Sequence, residues 1–169
     1  MHCHSVACTA FILSFTRAPL LGWARPRFFC SCLRHKKIQL MAFLFLDSCL
    51  LERQFLSALQ DSRDKYGIIR IRKKAVRHLE EPVSFVSLSR WKEEGDGIAL
   101  VEACPDTLPL VDSLLRFWMV DEMVIYLIPR LQGGIRLFGD ALAPSVWKLI
   151  GNRHFDTGVC RLDYLHTGY

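Results

Sequence analysis

The chain has 169 residues, 51% of them hydrophobic, enough for one domain with a real core and too few for two comfortable ones. Four tryptophans and a charged fraction of 23% exclude a disordered chain. The net charge of +5 does not mark a nucleic-acid binder: the first 46 residues hold six basic side chains and no acid, the other 123 carry 16 basic against 17 acidic, and no basic stripe there is interleaved with aromatics.

Residues 1–35 read as a segment apart, and 36–169 as the folded domain. Ala10–Phe15 is too short an apolar run to span a bilayer, and no membrane segment is expected. A stretch with Arg and Ser but no acid has the composition of an organelle transit peptide. A start codon placed too far upstream explains it equally, and both readings stay open. Four of seven cysteines (Cys3, Cys8, Cys30, Cys32) lie here. An odd total without regular spacing is a poor disulfide framework. His2, Cys3, His4, Cys30, Cys32 and His35 match no zinc spacing, so no metal site is assigned. The plain reading is a reduced, cytoplasmic protein, or an organellar one if the leader is a transit peptide.

Lys37–Leu46 (KIQLMAFLFL) is a continuous apolar run of the length of a strand buried on both faces. Glu52–Leu59 places Phe55, Leu56 and Leu59 at helical spacing. Tyr66–Ile71 (YGIIRI) is expected to be a strand, and the basic stretch Arg72–Leu79 to open a helix. Pro82–Leu88 alternates through Val83 and Phe85 and is expected to be a strand. Ile98–Val101 is a short strand. Pro105–Met119 is the clearest helix: Asp106 or Thr107 can cap it, Pro109 falls in its first turn, and Leu108, Val111, Leu115 and Trp118 are expected to form its buried face. Met123–Ile128 is an apolar strand stopped by Pro129, followed by a turn at Gln132-Gly133-Gly134. Trp147–Ile150 and Arg153–Phe155 start another strand or bend. Val159–Leu165 is a final strand after the Thr157-Gly158 turn. Strands alternating with helices, then two closing strands, mean α/β with a mixed sheet.

The stretch Val120–Phe138 (VDEMVIYLIPRLQGGIRLF) resembles a signature of the dihydrofolate-reductase-like superfamily. The shared pattern is a helix ending in a Val-Asp-Glu turn, a strand, Pro129, paired glycines and Ile-x-Leu-Phe. Thr157-Gly158-Val159 and Arg161–Tyr164 resemble that family's closing hairpin. Upstream, KIQLMAFLFLDS resembles its first strand, Ile71–Lys74 its Gly-Arg-Lys-Thr cofactor turn, and PVSFVSLS its Pro-Val-x-Val-x-Ser strand. The relatives include the C-terminal reductase half of the bacterial deaminase-reductase of riboflavin biosynthesis. The resemblance implies a three-layer α/β fold around a central mixed, mostly parallel sheet. It also implies a truncated fold, because the stretch between Asp47 and Ile68 is short for the family.

By the same resemblance the chemistry would be hydride transfer from NADPH to a pterin-like or ribosylamino-pyrimidine substrate. Asp47 is then the candidate catalytic acid, able to anchor a heterocycle by paired hydrogen bonds; otherwise it caps the following turn. Arg72, Lys73 and Lys74, with Arg70, are the candidates for a 2′-phosphate; otherwise they are a solvated helix face. Where the family holds pyrophosphate on glycines at a helix N-terminus, this chain reads Glu102-Ala103-Cys104-Pro105-Asp106. Side chains obstruct backbone approach there, proline removes a donor, and two carboxylates oppose phosphate. Tyr126 flanks the substrate in the family and otherwise is core. Gly133 and Gly134 read as turn glycines, and Asp121-Glu122 as a solvated helix end. His154 and Cys160 receive no chemistry. Three readings remain: an NADPH-dependent reductase acting on a small molecule, a non-catalytic degenerate relative, and a small homodimeric interaction module on the same fold.

Overall fold

The computed structural model describes residues 36–52, 56, 59, 64–139, 142 and 144–168. The leader, with its transit and metal-cluster readings, lies outside these residues, as does most of the Glu52–Leu59 helix and part of the shortened stretch after Asp47. Strands β1 (Lys37–Phe45), β2 (Arg77–His78), β3 (Ile98–Ala103), β4 (Glu122–Ile128), β5 (Val146–His154) and β6 (Cys160–Gly168) form one sheet in the order β2-β3-β1-β4-β6-β5. The first four run parallel, and β6 and β5 close the sheet antiparallel.

Strand β1 is central because its side chains are apolar on both faces. Ile38, Leu40, Ala42 and Leu44 join one core; Met41, Phe43 and Phe45 join another on the opposite face. Helix α1 (Ile68–Lys74) covers the second face. Helices α2 (Phe85–Glu93) and α3 (Leu108–Arg116) cover the first. Three layers around a mixed, mostly parallel sheet are therefore present, as the resemblance implies. Among the described residues no helix is long and apolar enough to cross a membrane.

Two expected strands are helical. The stretch Tyr66–Ile71 opens α1 because Gly67 takes a left-handed φ of 75° and Asp64 caps the turn, its carboxylate accepting from Ile69 N (2.8 Å) and Arg70 N (3.0 Å). Ile68 and Ile71, three apart, then bury together, and that burial outweighs the β-preference of isoleucine. The basic run is the last turn of α1, where cations suit the helix dipole. It ends the helix rather than opening one, and Arg77–His78 form β2.

The expected strand Pro82–Leu88 is helical from Phe85 onward. Phe85, Leu88 and Trp91 recur at a spacing of three, and Leu88 is fully buried. The alternation there was too short to decide the period. Helix α3 starts from Thr107, not Asp106, and ends at Arg116. Its buried face is Leu110, Val111 and Leu114; Leu108 and Leu115 are half-buried, and Trp118 lies beyond the helix, exposed, at a φ of 51°. The two fragments expected after Trp147 are one strand, β5, bulged between Leu149 and Gly151.

The pair Asp121-Glu122 does not face water. Asp121 accepts from Ile38 N (2.8 Å) and from Lys92 Nζ (2.7 Å), while Glu122 accepts from Lys37 Nζ (2.7 Å) and Gln39 Nε2 (3.1 Å). Both clamp the N-terminal end of β1.

Candidate functional site

The chain leaving β1 leads to α1 on one face of the sheet, and the chain leaving β3 leads to α3 on the other. Such a divergence opens a crevice at the carboxyl ends of neighbouring strands, where ligands of open α/β sheets bind. A cleft of about 810 Å³ lies at this place. Phe45, Leu50 and Leu51 line it after β1, Pro105 and Asp106 after β3, and Ile128, Pro129, Gly133 and Gly134 after β4. Tyr66, Thr157 and Val159 close a further side. The walls are largely apolar, with Glu52, Asp106 and Arg130 as charges among the lining residues. That composition suits a small, mostly apolar ring compound oriented by a few polar groups.

Asp47 sits beside the cleft, not among its lining residues. Its carboxylate accepts from Gly133 N (2.6 Å), Gln132 N (3.1 Å) and Cys49 N (3.2 Å). The Gly133 amide, chiefly, holds this carboxyl below the usual carboxylate range, with Cys49 and Gln132 adding to it and partial desolvation opposing. Three of roughly four acceptor sites on a carboxylate are thus turned to backbone. Here Asp47 ties the glycine turn to the end of β1. Gly133 and Gly134 are needed for their φ values of 71° and 118°, since nothing lies within 4 Å of a Cβ at either position.

Arg72 and Glu102 face each other. Arg72 Nε donates to Oε1 and Nη2 to Oε2, both at 2.6 Å, a bidentate pair with each side chain about a quarter exposed. Glu102 belongs to β3 and not to the loop after it. Its charge is therefore spent on Arg72 and does not face the cleft as a repelling carboxylate. Lys73 and Lys74 project from the exposed last turn of α1.

The β3–α3 loop is Cys104–Thr107, and it is closed on itself. Cys104 N donates to Thr107 Oγ1 (3.0 Å), Thr107 Oγ1 donates to Glu102 O (2.5 Å), and Thr107 N donates to Cys104 O (3.1 Å). Pro105 has no N–H, so within this loop only the Asp106 amide is left for an outside acceptor. A pyrophosphate needs several converging N–H groups and no carboxylate beside them. Asp106 is exposed at the cleft. These residues do not fit the dinucleotide that the sequence resemblance implies.

Tyr126 is core. Its ring stacks on Phe43 at 4.8 Å, and its hydroxyl donates to Tyr66 O at 2.9 Å. Burial pushes that hydroxyl up to about 12, with Arg161 opposing and Asp163 and Asp64 assisting. The bond positions the segment that brings Tyr66 to the cleft wall, where Tyr66 Oη lies 3.0 Å from Thr157 Oγ1. Tyr126→Phe is expected to cost about 1–2 kcal/mol, because the Tyr66 carbonyl loses its buried donor. The neutral hydroxyl is favoured in the folded state, so its contribution is complete below pH 10 and lost as pH rises towards about 12. Urea unfolding across that range should show the alkaline loss in the native protein and a weaker one in the variant.

Sequence reasoning missed Tyr66, Asp64 and the hydroxyl of Thr107 as organising groups. Tyr66 carries no local signal, because its partners Tyr126 and Thr157 are brought near only by the fold, whereas Asp64 and Thr107 act on backbone three to six residues away. It also kept His154 and Cys160 apart, whereas His154 Nδ1 and Cys160 Sγ are 3.1 Å apart.

With this geometry in view, the likeness to solved structures is decisive for the fold. A Shewanella sp. PV-4 protein assigned to riboflavin biosynthesis superposes with a TM-score of 0.61 at 13% identity, over 78% of this chain and 99% of its own. The domain has the dihydrofolate-reductase-like fold. A pyrimidine reductase-like protein from Corynebacterium diphtheriae shares that fold, with a TM-score of 0.57 at 8% identity over 79% of this chain and 92% of its own. No protein-family model matches the sequence, and no curated protein is significantly similar to it.

Proposed function

We propose that this protein is a diverged relative of the riboflavin-type reductases that keeps their small-molecule cleft and has given up the grip on NADPH. The observation that carries the reading is the bidentate Arg72–Glu102 pair: the arginine aligned with a 2′-phosphate site is satisfied from within. The self-closed Cys104–Thr107 loop supports it from the pyrophosphate side. The cleft itself, with its apolar walls and the hydroxyls of Tyr66 and Thr157, suits a heterocycle, and the Corynebacterium protein is described as pyrimidine reductase-like; the ribosylamino-pyrimidine class is the one the sequence resemblance implies.

A thermal-shift series tests this. A ribosylamino-pyrimidine at a hundred times its dissociation constant should stabilise the domain by roughly 2.7 kcal/mol, several degrees in melting temperature. NADPH at millimolar concentration should leave the melting temperature unchanged. Stabilisation by NADPH would favour the second reading, an NADPH-dependent reductase, for which the exposed Lys73 and Lys74 are the remaining phosphate partners.

A further inference from the structure

We propose that Cys160 is a reactive thiol activated by His154, and that it is the position at which this protein takes up a small-molecule disulfide. The two residues are cross-strand partners on the last rung of the β5–β6 hairpin, with Nδ1 and Sγ 3.1 Å apart. The backbone fixes the encounter. Cys160 also pairs with Leu127 of β4, and the turn beyond the rung is closed by Phe155 N donating to Val159 O (3.0 Å) and Gly158 N donating to Phe155 O (2.8 Å). His154 is exposed and Cys160 partly so, whereas Cys49 and Cys104 are each 3% exposed. A reagent in water therefore reaches Cys160 ahead of the other two described thiols.

The charged side chains next to the pair in sequence have contacts of their own. Arg153 and Arg161 occupy the next rung, so their side chains leave the opposite face of the sheet. Arg161 is paired with Asp163, and Arg153 lies over the Phe155 ring. Asp156, in the turn, faces Lys65 at 3.8 Å.

The step is thiol–disulfide exchange. His154 takes the proton of the Cys160 thiol, and the thiolate attacks one sulfur of the small disulfide. A new S–S bond to Cys160 forms as the old one breaks, and the departing thiolate takes the proton from His154. One thiol and one disulfide go in; one mixed disulfide and one thiol come out. The adduct sits one residue from Val159 and three from Thr157, both walls of the cleft.

The full chain treated at neutral pH with 5,5′-dithiobis(2-nitrobenzoate), with labelled peptides mapped over time, tests the proposal. Cys160 should be labelled roughly tenfold faster than a cysteine in an unstructured peptide. His154→Gln should bring Cys160 down to the peptide's rate with circular dichroism unchanged, and Cys160→Ser should remove the fast phase. A native Cys160 no faster than the peptide overturns the proposal whatever the variants do. So does a folded His154→Gln protein that keeps the fast rate.

Discussion

Asp121→Ala should destabilise the domain by about 2–4 kcal/mol, lowering the melting temperature by roughly 6–15 °C. The residue joins three elements, two of them through its carboxylate. It accepts from Ile38 N in β1 and from Lys92 Nζ in α2, while its own backbone N–H donates to Ile38 O and its carbonyl accepts from His166 N in β6. Removing the side chain leaves the amide of a fully buried residue without its acceptor, a loss of about 1–3 kcal/mol. It also leaves the Lys92 ammonium, with its side chain 23% exposed, holding only the Met119 carbonyl at 3.3 Å. Asp121→Asn keeps an acceptor for Ile38 and should cost about half as much. Urea unfolding of both variants measures this, and a loss below roughly 0.5 kcal/mol for the alanine variant would show that the clamp is idle.

Breaking the Arg72–Glu102 pair should cost about 1.5–3 kcal/mol when Glu102 is replaced by alanine, because a partly buried guanidinium keeps its desolvation and loses both bonds. Replacing both residues by alanine should recover part of that loss, and a double-mutant cycle should show coupling of about 1–3 kcal/mol. The functional consequence is separate. Glu102→Gln leaves Arg72 with an uncharged partner but leaves the Cys104–Thr107 loop closed, so this variant too should show no saturable NADPH binding. Additive single effects would mean that the pair does not hold Arg72 and that the account of its lost phosphate role is mistaken.

The legible parts of this fold were those with a one-dimensional signature. Strand β1 could be read because a strand buried on both faces is a continuous apolar run, and β4 because Pro129 ends a similar one. Helix α3 could be read from its proline and its spacing, although its buried face was displaced by one residue. The YGIIRI and PVSFVSL stretches misled for one reason: four to six apolar residues do not fix a period, and what settled them was the capping carboxylate of Asp64 and the burial of Leu88.

The site was less legible than the fold. Arg72 and Glu102, thirty residues apart, were weighed as one residue that attracts phosphate and another that repels it, when each is the other's partner. For Asp47 the local cap through Cys49 N was legible, and the glycine turn that also occupies it, 85 residues later, was not. Pairings of that kind depend on β1 lying between β3 and β4, which no local pattern states.

The most direct measurement is a calorimetric or fluorescence titration of the native protein with NADPH. No saturable binding up to millimolar cofactor is the expected result, since neither end of the dinucleotide finds its donors. Saturable binding in the micromolar range would contradict the central claim and restore the reductase reading.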